Sequence, residues 1–287
     1  MANLIVESLE SANQSIAKVL RSGDVFYISR AGAVEMLAIE SNLIVGHLSR
    51  LRKIRRRFHL WKNAGVFPPT QRELRYFSSE YISAFANSDF HVNIPLDKSW
   101  AYLNEATKQQ NPFPIEVLDP VLIASRGITP WSLELANKKV LVIHPEANLI
   151  LSQSLYSGTL HSRPVLSFRE INILRPPETN GFEIAVKSNW HKNLENFKLE
   201  LGVMLEKNQP DLALVAAGAY GLPICSYLKK RGVSSIYMGG ALQILFGIWG
   251  NRWRGNLEYE SMATERWLHS GTNKVRGSKF IEKGAYW

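Results

Sequence analysis

The chain has 287 residues, 45% of them hydrophobic and 21% charged. That is enough for one large α/β domain or two modest ones, and too apolar for a disordered chain. One cysteine, Cys225, excludes an intramolecular disulfide and a multi-cysteine zinc site and points to a reducing compartment, while 34 Lys+Arg against 25 Asp+Glu give a net charge of +9 that favours anionic partners.

No apolar run reaches the roughly 18 residues of a membrane span. The longest, Met238 to Trp249, is short and carries glycines. The N-terminus has no cationic start before an apolar block, so it does not read as a secretory signal. The expected location is cytoplasmic. The first predicted helix covers Leu4 to Leu20, with Ile5, Leu9, Ile16, Val19 and Leu20 on one face. Ser22-Gly23-Asp24 ends it. Val25–Ser29 (VFYIS) reads as a short buried strand, Arg30-Ala31-Gly32 as a turn, and Ala33–Leu48 as a helix. Strand, glycine turn and helix in that order are the local geometry of a phosphate or sugar site.

Six of the eight residues Arg50–Arg57 are basic. The run reads either as a solvated helix end or as a patch for an anionic membrane surface, because Leu48, Leu51, Ile54, Phe58 and Trp61 recur beside it at helical spacing. Too few aromatics interleave for nucleic-acid binding, and the charge is concentrated in one short run rather than along a face. Thr70 and Glu73 have capping-box spacing at the start of a helix that runs to about Ala86. Asn111–Pro114 and Thr129–Trp131 are loop signals. The segment from about 50 to 131 therefore reads as a mostly helical insertion.

Beyond it, strands and helices alternate. Lys138–His144 (KKVLVIH) is a strand covered on both faces, stopped by Pro145. A helix with Ile150, Gln153 and Leu155 follows, then a strand candidate over Val165–Leu174 that Pro176-Pro177 ends. Trp190–Lys207 reads as a helix and Asp211–Ala217 as a strand. Gly218–Gly221 turns into helix Leu222–Lys230, which Gly232 caps. Val233–Met238 is the last strand, followed by Gly239-Gly240 and helix Ala241–Phe246. The pattern predicts an α/β, Rossmann-like fold: a largely parallel central sheet flanked by helices.

Three turns carry candidate chemistry. Ala216–Gly221 (AAGAYG) joins a strand to a helix; Gly218 allows a tight turn, and Gly221 is expected to let backbone amides approach a ligand. It reads as a phosphate site or as a plain turn, and it is neither a P-loop nor a full dinucleotide fingerprint. Gly239-Gly240, with Gln243 beyond, repeats the arrangement one strand later. Two adjacent glycine turns define one crevice at the carboxyl ends of parallel strands, or else serve close helix–sheet packing. In the third turn Arg30 can meet a phosphate, and Glu35 can act as a general base or simply pair with Arg30. The seven histidines show no metal spacing; His144, at a strand end, is a marginal candidate. Cys225 reads as a small core residue, and Trp249, Trp253, Trp267 and Trp287 read as core or as aromatic platforms.

The segments DLALVAAGAYGLPI (211–224), KKRG (229–232), YMGGALQILFGIWGNRW (237–253), KKVLVIHP (138–145) with Gln153 downstream, and EKGAYW (282–287) resemble bacterial proteins of surface-polysaccharide gene clusters related to glycosyltransferases of the GT-D fold. The resemblance implies a single GT-D-like domain over residues 1–287. It also implies transfer of a sugar from a nucleotide-diphosphate sugar to a glycan or lipid-linked glycan acceptor, a hexosyltransferase-type activity in assembly of capsule or O-antigen. The family motif, an Asp-x-Glu in a segment like RFGDGE, corresponds here to RAGAVE (30–35): Arg30, Gly32 and Glu35 match, and Ala33 replaces the aspartate. By that match Glu35 is the expected catalytic base. Arg30, Gly32, Gln153, Gly218, Tyr220, Gly221, Gly239, Gly240 and Gln243 are expected to bind the nucleotide sugar. The resemblance implies Mg²⁺ or Mn²⁺ as a cofactor, but Ala33 stands where the motif aspartate would help hold it, so no metal ligand is assigned: either the ion is held through waters and the donor's phosphates, or Arg30 or another base neutralises the pyrophosphate instead. Tyr286 and Trp287 are expected to help exclude water or to dock as core. The basic run suits an acceptor at the inner membrane face. The competing expectation is a non-catalytic nucleotide-sugar or glycan-binding partner of an assembly complex, which Ala33 favours.

Overall fold

The computed structural model of the protein describes residues 6–43, 49–93, 112–179, 189–270 and 285. Helix α1 (Leu9–Ser22) starts where the Ser8 hydroxyl accepts from the Ser11 amide, and it stops at Gly23, whose φ of 79° is left-handed. Leu4 and Ile5, expected in this helix, lie outside the described residues. Strand β1 (Tyr27–Arg30) leads to α2 (Ala33–Leu43), and the expected extension over 44–48 also lies outside them.

Helix α3 (Arg50–Ala64) is capped by the Ser49 hydroxyl and closed by left-handed Gly65. Helix α4 (Gln71–Ala86) is capped by Thr70, whose hydroxyl accepts from the Glu73 amide. Only half of the expected capping box forms. The Glu73 carboxylate instead accepts from the His191 amide at 2.8 Å and contacts its Nδ1. The remaining elements are β2 (Phe90–Val92), α5 (Pro120–Ser125), β3 (Lys139–Ile143), α6 (Ala147–Ser154), β4 (Glu170–Leu174), α7 (Trp190–Lys207), β5 (Leu212–Val215), α8 (Gly221–Lys230), β6 (Ser234–Tyr237), α9 (Ala241–Leu245), β7 (Ile248–Trp249), α10 (Leu257–Glu260) and β8 (Leu268–His269).

Six strands form one parallel sheet in the order β2-β1-β6-β5-β3-β4. Strand residues alternate between two cores. Ile28, Val140, Val142, Leu212, Leu214 and Ile236 join the core with α1, α5, α6 and α9. Tyr27, Leu141, Ile143, Ala213, Val215 and Tyr237 join the core with α2, α3, α4, α7 and α8. Burial on both faces explains the near-continuous apolar runs of β3 and β5. The chain leaves β3 through α6 on one face and leaves neighbouring β5 through α8 on the other. The β3/β5 boundary is therefore a topological switch point, where α/β sheets open a crevice at their carboxyl ends.

Two boundaries differ from expectation. The segment 50–131, read as mostly helical, also supplies the short edge strand β2, paired to β1 through Ile28↔Phe90 and Arg30↔Val92. Three residues carry no readable period. The strand expected from Val165 begins only at Glu170; Val165 and Leu166 are core residues of the loop before it. Among the described residues, no helix is long and apolar enough to cross a membrane.

Candidate functional site

The carboxyl ends of β1, β3, β5 and β6 and the C-terminal turn of α3 surround one cavity of about 580 Å³. Its wall carries Arg30, Gly32 and Glu35 after β1, His144 and Glu146 after β3, Gly218 after β5, and Gly239, Gly240 and Gln243 after β6. Helix α3 adds His59, Lys62 and Asn63; Tyr237, Glu178, Arg252 and Ser270 complete the wall.

The β1 turn is built around two glycine contacts. Gly32 donates its N–H to the Tyr81 hydroxyl at 2.8 Å. The Glu35 side chain, 7% exposed, folds back over Gly32, where a β-carbon would meet its Oε2 at 2.0 Å. Only glycine at 32 lets the carboxylate lie there. Burial raises the Tyr81 phenol well above its ordinary value, followed by the Glu35 charge, while the Gly32 amide and Arg30 pull the other way. Glu35 and Arg30 thus act on one buried hydroxyl, which stays protonated.

Arg30 crosses from β1 to the β6 turn. A β-carbon on Gly239 would lie 2.3 Å from Arg30 Nη1, and Gly239 has φ +58°. Arg30 Nε is buried and has no hydrogen-bond partner among the described residues. A buried guanidinium donor without an acceptor is costly unless something supplies one, and the cavity is where an anion can do so.

After β3, the His144 ring accepts the Glu146 N–H at Nδ1, 3.0 Å away. That bond fixes the Nε2–H tautomer of this wall residue, so its second nitrogen is a donor. Burial pushes its pKa down to about 3, so the ring is neutral at physiological pH. His59 is lowered by burial, then by Lys62 and Arg55.

Seven of the ten residues singled out in the sequence share this wall: Arg30, Gly32, Glu35, Gly218, Gly239, Gly240 and Gln243. Three lie off it. Gln153 is 2% exposed and donates to the carbonyls of Arg266, Phe246 and Gly247, tying α6 to the C-terminal segment. The Tyr220 hydroxyl meets the Thr179 hydroxyl at 3.0 Å while its ring stacks on Trp190, within the core below the turn. Gly221 spends its amide on the Gly218 carbonyl, and a β-carbon there would overlap the Tyr237 ring at 2.1 Å, so its role is close helix–strand packing. Glu282, Tyr286 and Trp287 lie outside the described residues. Ala285 between them accepts from the amide of Arg252, a wall residue.

Sequence reasoning passed over His59, Lys62, Asn63, Tyr237, Arg252 and Ser270. Arg252 stood inside the quoted block 237–253. Lys62 and His59 had no local signal, because they reach the wall only through the docking of α3 against the β5 turn. There a β-carbon on Gly218 would meet the Ala64 carbonyl at 2.9 Å.

The described residues form no ready-made cage for a divalent cation. Such ions take oxygen ligands, from one or two carboxylates together with waters and substrate phosphates. Of the wall's three described carboxylates, Glu178 is held by Arg175 at 2.8 Å, Glu35 lies over Gly32 and Glu146 follows β3, while Ala33 offers only a methyl group. Among the described residues no group of three or more His, Cys, Asp or Glu side chains is arranged to hold a metal.

The fold is similar to that of a glycosyltransferase (DUF1792) from Streptococcus sanguinis. The TM-score is 0.50 over 96% of this chain and 97% of that one, at 12% identity. A selenomethionine-substituted domain of unknown function 1792 (DUF1792) superposes at a TM-score of 0.45 over 96% and 93% of the two chains, at 13% identity. No family model matches the sequence, and no curated protein matches it. At these identities the likeness is one of fold.

Proposed function

We propose that this chain is a glycosyltransferase that moves a sugar from a nucleotide-diphosphate sugar to a hydroxyl of a glycan or lipid-linked glycan acceptor in surface-polysaccharide assembly. The observation that carries the reading is the unpartnered buried Nε of Arg30, set between the β1 and β6 turns in the same cavity as a buried carboxylate, Glu35. The fold shared with the streptococcal glycosyltransferase supports it.

The chemistry follows from these groups. The acceptor oxygen attacks the anomeric carbon as the bond from that carbon to the diphosphate oxygen breaks. Glu35 takes the acceptor's proton. The charge that develops on the leaving diphosphate is met by Arg30, with Lys62 and Arg252 on the same wall and the Nε2–H of His144 as a neutral donor. In this reading the fixed cations meet the leaving charge without calling on an aspartate at Ala33.

The test is release of nucleoside diphosphate from a panel of nucleotide sugars, read alongside thermal shift. A cognate donor should raise Tm by mass action. Glu35→Gln should lower turnover by roughly 10²- to 10⁴-fold while keeping the shift. If no nucleotide or nucleotide sugar shifts Tm, the proposal fails. Binding without turnover in the presence of acceptors selects the second reading, a non-catalytic binding partner, which Ala33 favours.

A further inference from the structure

We propose that the outer face of α3 seats on an anionic phospholipid bilayer and sets the mouth of the cavity beside the membrane surface. Helix α3 contains no acidic residue, and its first turn, where the positive end of the helix dipole lies, carries Arg50, Arg52 and Lys53. Cations there oppose the dipole and one another. The fold uses only the inward ones: Arg56 pairs with Glu40 at 3.0 Å, and Arg57 bonds Gln71. Among the described residues, the side chains of Arg52 and Arg55 have no partner, so their charge is left to meet an anion on the outer face.

The outward stripe is also apolar. At 3.6 residues per turn Leu51, Arg55, Phe58 and Lys62 align along one side of the helix. Leu51 is 78% exposed and Phe58 46%. Two exposed apolar side chains flanking a cation are what an interfacial helix inserts and what a purely electrostatic polyanion site has no use for. The stripe ends at Lys62, on the cavity wall beside His59. His59 is depressed by burial and then by the Lys62 and Arg55 charges, in keeping with a positive field that reaches the rim. The earlier expectation of one apolar face from Leu51 to Trp61 is revised. Trp61 turns inward and donates to the Thr179 carbonyl, leaving Leu51 and Phe58 outside, and Leu48 lies beyond the described residues.

The experiment is co-sedimentation of the full chain with phosphatidylcholine vesicles, with and without phosphatidylglycerol, at physiological salt. Anionic vesicles should bind about tenfold or more tighter than neutral ones. The double substitution Arg52→Glu, Arg55→Glu should lose that preference by about tenfold or more with Tm unchanged, since both side chains are exposed, and Phe58→Ser, half-buried beside Trp61, should weaken binding several-fold at temperatures where the variant remains folded. Equal affinity for both vesicles, or full binding by the charge-reversed variant, overturns the proposal. So does a soluble polyanion such as heparin that competes while Phe58→Ser has no effect, since that result points to a polyanion rather than a bilayer. Vesicle binding needs no turnover, so it stands or falls apart from the transferase reading.

Discussion

In Gly239→Ala the new methyl group would lie 2.3 Å from Arg30 Nη1, more than an ångström inside ordinary contact, at a residue with φ +58°. Two costs follow, and they separate. The left-handed conformation costs an L-residue about 1–2 kcal/mol. The clash is with the far end of a flexible side chain, so Arg30 swings aside and little further stability is lost. What is lost is the position of the guanidinium. A hydrogen bond to a charged group is worth about 1.5–3 kcal/mol, so affinity for a nucleoside diphosphate should fall by about ten- to a hundredfold. Gly23→Ala is the control: φ is +79°, nothing lies within 4 Å, and the residue closes α1 away from the cavity. It should lose a comparable 1–2 kcal/mol of stability with unchanged affinity. Urea unfolding gives the first quantity and titration calorimetry with nucleoside diphosphates the second. Wild-type affinity in Gly239→Ala, or an equal loss in Gly23→Ala, would refute the placement of Arg30 at the ligand.

Two further outcomes are expected. With fixed cations in place of a metal, turnover should be unchanged in excess EDTA; loss of activity that Mn²⁺ restores would contradict the reading of the donor set. Asp119, at the start of α5, accepts from the amides of Val121 and Leu122 and from the Tyr259 hydroxyl, and burial still raises its carboxyl to about 6. The folded chain thus holds a proton that the unfolded chain, with a carboxyl near 3.9, has released. The stabilisation is present below that value and is lost as pH rises towards 6, by up to about 3 kcal/mol. Asp119→Asn keeps an acceptor for the two amides and should abolish this slope. Urea unfolding of both proteins at pH 4 and pH 7 checks it, and parallel stabilities would show that Asp119 does not titrate in this range.

The layers of the fold were legible because burial on both faces writes itself into the strands. Runs such as Val140–Ile143 and Leu212–Val215 admit few readings besides buried parallel strands between helices. Strand β2 was not legible. Its three residues owe their pairing to β1, and their anchoring comes from Asp89, whose carboxylate accepts the Tyr27 amide at 2.7 Å. The half-formed capping box at Thr70 went astray for a similar reason. Local spacing sets where Glu73 sits, but His191, 118 residues away, decides where its carboxylate goes.

The glycines show where sequence stops being enough. Gly218, Gly221 and Gly239 look alike in sequence, each just past a strand, and all three read as ligand turns. The structure gives them separate reasons. Gly221 makes room for the Tyr237 ring, and Gly218 makes room for the Ala64 carbonyl, bringing α3 to the cavity. Gly239 makes room for Arg30, the one of the three neighbours proposed to meet the ligand. A glycine signals that something approaches closely, and what approaches is fixed by tertiary packing. The consequence for function is specific. Gly218 is how the basic helix α3 reaches the site with Lys62 and His59, so the feature least legible in the turn is the one that joins the cationic surface to the cavity. Enlarging residue 218 should therefore disturb α3 and the cavity together, whereas enlarging residue 221 should act through Tyr237 and the core.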